Sequence, residues 1–168
     1  MKSYEIEGPW AGQLAIVARP RGGEWLADDL QRMRNEGYDV LVSLLTQSEA
    51  NEFDLAREAE ISNGSGIKFI SLPVADLGVP QSVHAFRKLV DDLTAELNSG
   101  KKVAIHCRQG IGRSGLLAAA LLVSSSVDPD AAIRRVSDAR GLPVPETPQQ
   151  KEWITKFAED FVDTLAQG

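Results

Sequence analysis

Lys102-Val103-Ala104-Ile105-His106-Cys107-Arg108-Gln109-Gly110-Ile111-Gly112-Arg113-Ser114-Gly115, followed by the apolar run Leu116 to Val123, is the stretch that decides the fold. Its opening residues, after the breaker Gly100, have the shape of a short buried strand. Its closing run is eight apolar residues long, the longest in the chain, and far short of the ~20 that span a bilayer. That run reads as a buried helix. A buried strand that turns through two glycines into a buried helix is a piece of a parallel α/β unit.

The rest of the chain repeats the alternation. Strands are expected at Leu14–Ala18, Val40–Leu45 and Ile67–Val74, and the fourth at Lys102–His106. Glu24–Glu36 places Leu26, Leu30 and Met33 on one helical face and stops at Gly37. A second helix, Ser82–Leu97, carries Val83, Phe86, Val90, Leu93 and Leu97 and ends in Asn98-Ser99-Gly100. Asp128-Pro129 restarts the chain as N-cap and N1 of a helix to about Ala139. Thr147-Pro148 opens a last helix with Trp153, Phe157 and Phe161 on its buried side. A short helix is expected near Phe53–Ala59. The fold class is α/β, with a central, mainly parallel sheet flanked by helices. No stretch reads as an interdomain linker, so residues 1–168 are expected to form a single domain.

Composition narrows the function. With 43% hydrophobic and 25% charged residues the chain is of ordinary globular type. A formal net charge of −6 argues against a general binder of nucleic acid or anionic membrane. The single cysteine, Cys107, leaves no disulfide framework and no multi-cysteine metal site, and points to a reducing, cytoplasmic setting. Met1 to Trp10 carries two acids and no apolar core of a signal peptide.

The chemistry concentrates in the turn. Between a strand and a helix N-terminus, backbone N–H groups converge and favour an anion. Gly110 and Gly112 let the backbone curl, and Arg113 offers a planar fork for two phosphate oxygens. From Leu97 to Val127 there is no Asp or Glu, whereas Lys101, Lys102, Arg108 and Arg113 are present, so the segment reads as a positive pocket. A cysteine in such a field is favoured as thiolate and becomes an activated nucleophile. As a small buried hydrophobe Cys107 would leave the glycines and arginines without a reason.

His106-Cys107, five residues, then Arg113-Ser114 resembles the active-site loop of cysteine-based protein tyrosine phosphatases. The compact chain is most similar to the dual-specificity branch, including its kinase-associated-phosphatase-like and bacterial members. Asp76-Leu77-Gly78-Val79-Pro80, whose acid lies 31 residues before Cys107, resembles the family's general-acid loop. Val74-Ala75 stand where many tyrosine-specific relatives carry Trp-Pro before the acid.

The resemblance implies a role for each residue. Cys107 attacks phosphorus and becomes a phosphocysteine. Arg113 and the loop Arg108, Gln109, Gly110, Ile111 and Gly112 hold the phosphoryl oxygens. Asp76 is the general acid, Ser114 assists departure of the sulfur, and His106 fixes the loop. Gln150 resembles the family's water-positioning glutamine, although Thr147-x-x-Gln150 is equally a capping box. Glu49 is placed to orient Arg113 or is a solvated loop acid. No metal or cofactor is required. The expected partner is a phosphorylated protein, phosphotyrosine first. The alternatives are a phosphatase of a small molecule, such as an inositol phosphate, phospholipid headgroup or nucleotide, and an inactive phosphate-binding docking module.

Overall fold

In the computed structural model, residues 2–167 are described, with side chains through Val162. Five strands form one sheet: β1 (Ser3–Ile6), β2 (Gln13–Val17), β3 (Val40–Ser43), β4 (Lys68–Ser71) and β5 (Lys102–His106). Their spatial order is β1-β2-β5-β3-β4. β5 lies at the centre, parallel to β2 on one side and β3 on the other, and β4 continues the parallel set. Only β1 runs antiparallel, with Ser3 opposite Val17 and Ile6 opposite Leu14.

Seven helices cover the sheet: α1 (Leu26–Asn35), α2 (Gln47–Glu52), α3 (Glu58–Gly64), α4 (Val83–Asn98), α5 (Gly112–Ser124), α6 (Pro129–Arg140) and α7 (Pro148–Gln167). Because successive strand residues face opposite ways, the sheet feeds two cores. Leu14, Ile16, Val40, Val42, Val103 and Ile105 pack with α4, α5, α6 and α7. Ala15, Val17, Leu41 and Ala104 pack on the other face with Leu26, Leu30 and Met33 of α1 and with Leu55 and Ile67. α5 is buried from Gly112 to Val123, which explains why it is apolar all round. Among the described residues no helix is long and apolar enough to cross a membrane.

Most elements fall where the periodicity puts them, and the start signals hold in detail. Asp128 accepts from the amides of Asp130 and Ala131 ahead of Pro129, and Ser82 accepts from Ala85. Four expectations are corrected. β1 is a strand that the sequence reading passed over, because Ser3-Tyr4-Glu5-Ile6 alternates for only four residues. Of the helix expected near Phe53–Ala59 only Glu58 and Ala59 are helical, as the start of α3; residues 53–57 form a break after α2, with Asp54 at φ +56. Thr46 starts α2 earlier through a capping box with Glu49. The third strand ends at Ser71, although Leu72 and Val74 still donate to the Ser43 and Leu44 carbonyls. Phe161 is half-buried rather than core, while Phe157 is buried.

Candidate active site

Ligands of open α/β sheets meet the carboxyl ends of the parallel strands, and here every parallel strand delivers a residue to that edge. β5 runs into Cys107, β3 is followed by Glu49, β4 by Asp76 and β2 by Arg19. The turn from Arg108 to Ile111 then enters α5, which carries Arg113 in its first turn.

The orientation of the turn follows from where its carbonyls go. Arg19 Nη1 donates to the Arg108 carbonyl at 2.7 Å. Arg140 donates from Nε to the Gly110 carbonyl at 2.7 Å and from Nη2 to that of Gln109 at 3.1 Å. Three successive carbonyls are thus held by two guanidinium groups. Gly110, at φ +70, takes the left-handed conformation that this curl needs. Its N–H donates to Cys107 Sγ at 3.3 Å, so the buried sulfur lies on the amide side of the loop. Gly112 packs closely against Gln150: a Cβ there would lie 2.9 Å from Gln150 Oε1, and the amide would have to shift.

Arg113 is 3% exposed, and both of its terminal nitrogens are bonded. Nη1 donates to Glu49 Oε1 at 2.7 Å and Nη2 to Glu49 Oε2 at 2.8 Å, a fork-to-fork pair. Nη1 also reaches the Val74 and Leu44 carbonyls at 2.8 and 3.3 Å. Glu49 Oε1 accepts in addition from the backbone N–H and hydroxyl of Thr46, so one carboxylate caps α2 and clamps Arg113. The hydrogen bonds from Arg113 hold the Glu49 carboxyl down to about 2, with Thr46 adding to them against the effect of burial. Burial alone would lower Arg113; the Glu49 bond and the neighbouring Cys107, Glu49 and Asp76 raise it.

Asp76 sits at the mouth, its side chain 49% exposed. Oδ1 accepts from Arg113 Nη2 and from the Leu77 N–H, both at 3.1 Å. Leu77 holds φ +61, rare for a side chain of its size. Gln150, fully buried, closes the expected capping box, its N–H donating to Thr147 Oγ1 at 3.1 Å, and it also reaches beyond it. Its Oε1 accepts from the amides of Glu146 and Thr147 at the start of α7, and its Nε2 donates to the Gly78 carbonyl at 2.9 Å. It therefore ties the acid-bearing loop to the base of α7 and touches the wall of the turn at Gly112.

Other sequence expectations change in the folded chain. Lys102 lies at the far end of β5, donating to the Glu36 carbonyl and stacking on Tyr38. It and Lys101 therefore add nothing to the pocket. The Arg108 side chain forks onto Glu52 at 3.2 Å and lies over Phe53. Glu49, Glu52 and Asp76 all reach a segment that is free of acids in sequence. Ser114 Oγ is buried with no partner and makes no bond to the sulfur. His106, also buried, bonds through Nε2 to buried Glu58, and its Nδ1 has no partner. Arg19, Arg140 and Glu58 escaped the sequence reading; they lie 89, 30 and 48 residues from the groups they bond. No local spacing could have flagged them. Among the described residues no three His, Cys, Asp or Glu side chains are grouped to hold a metal ion. The fold thus brings together a buried thiol that accepts from the Gly110 amide, a clamped guanidinium and the carboxylate of Asp76.

Comparison with known proteins agrees with that geometry. Residues 15–126 match the family described as "Polymorphic toxin system, DSP-PTPase phosphatase". The human protein named cyclin-dependent kinase inhibitor 3 is 28% identical over 140 residues, 82% of this chain but 66% of its own length. The chain thus spans just under two thirds of that relative. In fold it is similar to the crystal structure of kinase associated phosphatase (TM-score 0.89, 22% identity, 96% of each chain). It is also similar in fold to that of PTPMT1 in complex with PI(5)P (TM-score 0.77, 18% identity, 95% and 98% of the chains).

Proposed function

The chain belongs to the DSP-PTPase family of cysteine-based phosphatases, and from that premise we propose that it hydrolyses phosphomonoesters on protein, phosphotyrosine first, through a phosphocysteine intermediate. The observation that carries this reading is the loop itself. Its carbonyls are held by Arg19 and Arg140, its Gly110 amide meets the Cys107 sulfur, and Arg113 stands clamped at its rim. Such a site is built for an oxyanion above a thiolate.

The residues divide the reaction as follows. A phosphoryl group enters with its oxygens on the loop amides and Arg113, and takes over the Nη2–H that Asp76 accepts in the free enzyme. The Cys107 thiolate attacks phosphorus in line; the S–P bond forms as the P–O bond to the leaving group breaks. Asp76, in its acid form, gives its proton to that oxygen. Water then attacks the phosphocysteine, its proton passes to the Asp76 carboxylate, and the sulfur leaves as thiolate. Glu49 holds the Arg113 guanidinium in one orientation throughout. Gln150, through Gly78, keeps the acid loop over the cradle. Ser114, buried and unpartnered, is the nearest hydroxyl in sequence to turn toward the departing sulfur.

The test is phosphate release from matched phosphotyrosine, phosphothreonine and phosphoserine peptides, with inositol phosphates in the same panel. Turnover of the peptides, abolished by Cys107→Ser while binding persists, is expected. Inactivity on every peptide beside rapid turnover of inositol phosphates would assign a small-molecule substrate instead. Peptide binding without phosphate release from any substrate would leave a docking module.

A further inference from the structure

A groove of about 450 Å³ adjoins the cradle, lined by Arg19, Arg21, Gly22, Phe53, Arg108 and Gln109 among others. Arg108 and Gln109 belong to the loop itself, so groove and cradle share a wall. Its arginines are held in place by aromatic faces. The Arg19 guanidinium lies 3.7 Å from the Phe53 ring centre, that of Arg108 4.9 Å from the same ring, and that of Arg21 4.8 Å from Trp25. Two of the three have carboxylate partners, Arg21 with Asp29 and Arg108 with Glu52 and, at 3.8 Å, with Glu49. Arg19 forms no salt bridge among the described residues; one N–H holds the Arg108 carbonyl, and a guanidinium has five. Arg19 is thus the groove's one guanidinium without a carboxylate partner among the described residues, in a chain whose formal charge is −6. Support of the loop accounts for one bond of Arg19. It does not account for the cavity, for the stacking of two guanidinium groups on one ring, or for Arg21.

We infer that this groove binds a second anionic group, a phosphoryl or a carboxylate, carried by a neighbouring residue of the same phosphopeptide. The inference rests on the reading of Cys107 as the nucleophile. Arg108 follows Cys107 directly, and consecutive Cα atoms are about 3.8 Å apart. Arg108 and Gln109 are common to the groove and the loop, and on this proposal an extended peptide, at about 3.3 Å per residue, carries its second anion from one to the other within a few residues. Planar forks held over rings match the oxygens of either anion, and half-buried Phe53 provides an apolar floor for the stem of its side chain. A phosphoryl group, with more charge and a third oxygen, binds better than a carboxylate.

The experiment uses one peptide sequence with phosphotyrosine fixed and, one or two residues away, phosphoserine, glutamate or glutamine. The loss of the phosphotyrosine phosphate is followed by mass, and kcat/KM compared at low salt. The doubly phosphorylated peptide is expected to exceed the glutamine peptide about tenfold or more, with glutamate between them and the preference shrinking at high salt. Arg19→Gln and Arg21→Gln should each reduce that ratio to about twofold. The ratio is the readout because Arg19 also supports the loop and its loss lowers every rate. Equal kcat/KM for the three peptides, or a ratio unchanged in both variants, would overturn the assignment. So would a preference for inositol bisphosphates over all peptides. Should no peptide be hydrolysed, the reading of Cys107 fails separately. Calorimetric affinities of Cys107→Ser for the same peptides then still decide the groove, equal affinities counting against it.

Discussion

Replacing Glu49 by glutamine should unfasten Arg113 while leaving the shape of the site intact. The carboxylate accepts from both ends of the guanidinium, at 2.7 and 2.8 Å, where Arg113 is almost completely buried. Removing one partner of a buried pair typically costs about 3–5 kcal/mol, because the other charge is stranded. Here Arg113 keeps the Val74 and Leu44 carbonyls and the exposed Asp76, and a glutamine oxygen still accepts one bond. The expected loss of stability is therefore smaller, about 2 kcal/mol at pH 7. The pH dependence identifies the cause. The folded-state pKa of Glu49 lies at about 2, below its ordinary value of 4.5, so its contribution is complete above pH 4.5 and fades as pH falls to about 2. In that window the unfolded chain binds more protons, and stability rises with pH. Urea unfolding of both proteins from pH 7 to pH 2.5 should show two curves that converge toward the acid end. The same variant should lower kcat/KM by about 10–100-fold, as expected for loss of alignment of one oxyanion donor. A gap that stays constant between pH 7 and pH 3, or a loss under 0.5 kcal/mol, would refute the clamp.

Other substitutions address the remaining parts. Asp76→Asn should lower kcat by about 10²–10⁴-fold, most for alkyl phosphates with poor leaving groups; equal losses on aryl and alkyl esters would move the acid elsewhere. Arg140→Ala removes the bonds to the Gln109 and Gly110 carbonyls and should lower kcat/KM about tenfold or more, with Arg140→Lys restoring part of it; unchanged kinetics would show that the loop holds its shape alone. Ser114→Ala deletes a buried hydroxyl with no partner and should leave stability within about 1 kcal/mol. It should nevertheless slow breakdown of the phosphocysteine, seen as a larger burst of leaving group in rapid mixing; an unaltered burst would remove Ser114 from the second step.

The short range explains what could be read without coordinates. The strand Lys102–His106, the turn and the helix after it lie next to one another in the chain, so burial periodicity and two glycines define them, and Cys107 and Arg113 come with them. The caps at Ser82 and Asp128 act over three residues and are equally legible. Charge was misread for the converse reason. A window free of acids says nothing about acids that other strands bring to the same edge, and Glu49, Glu52 and Asp76 all arrive that way. Lys102 failed in the opposite sense: a strand of five residues carries it to the far end of the sheet from Cys107. The break at Phe53–Arg57 follows a helix whose start is fixed by Thr46 and Glu49, and Glu49 is itself held by Arg113 from α5. The chemistry of the loop is thus a property of eleven consecutive residues. Its orientation and charge were decided only in the fold, where Arg19, Arg140, Glu49 and Glu58 converge on it, because hydrogen bonds and Coulomb forces act through space and not along the chain.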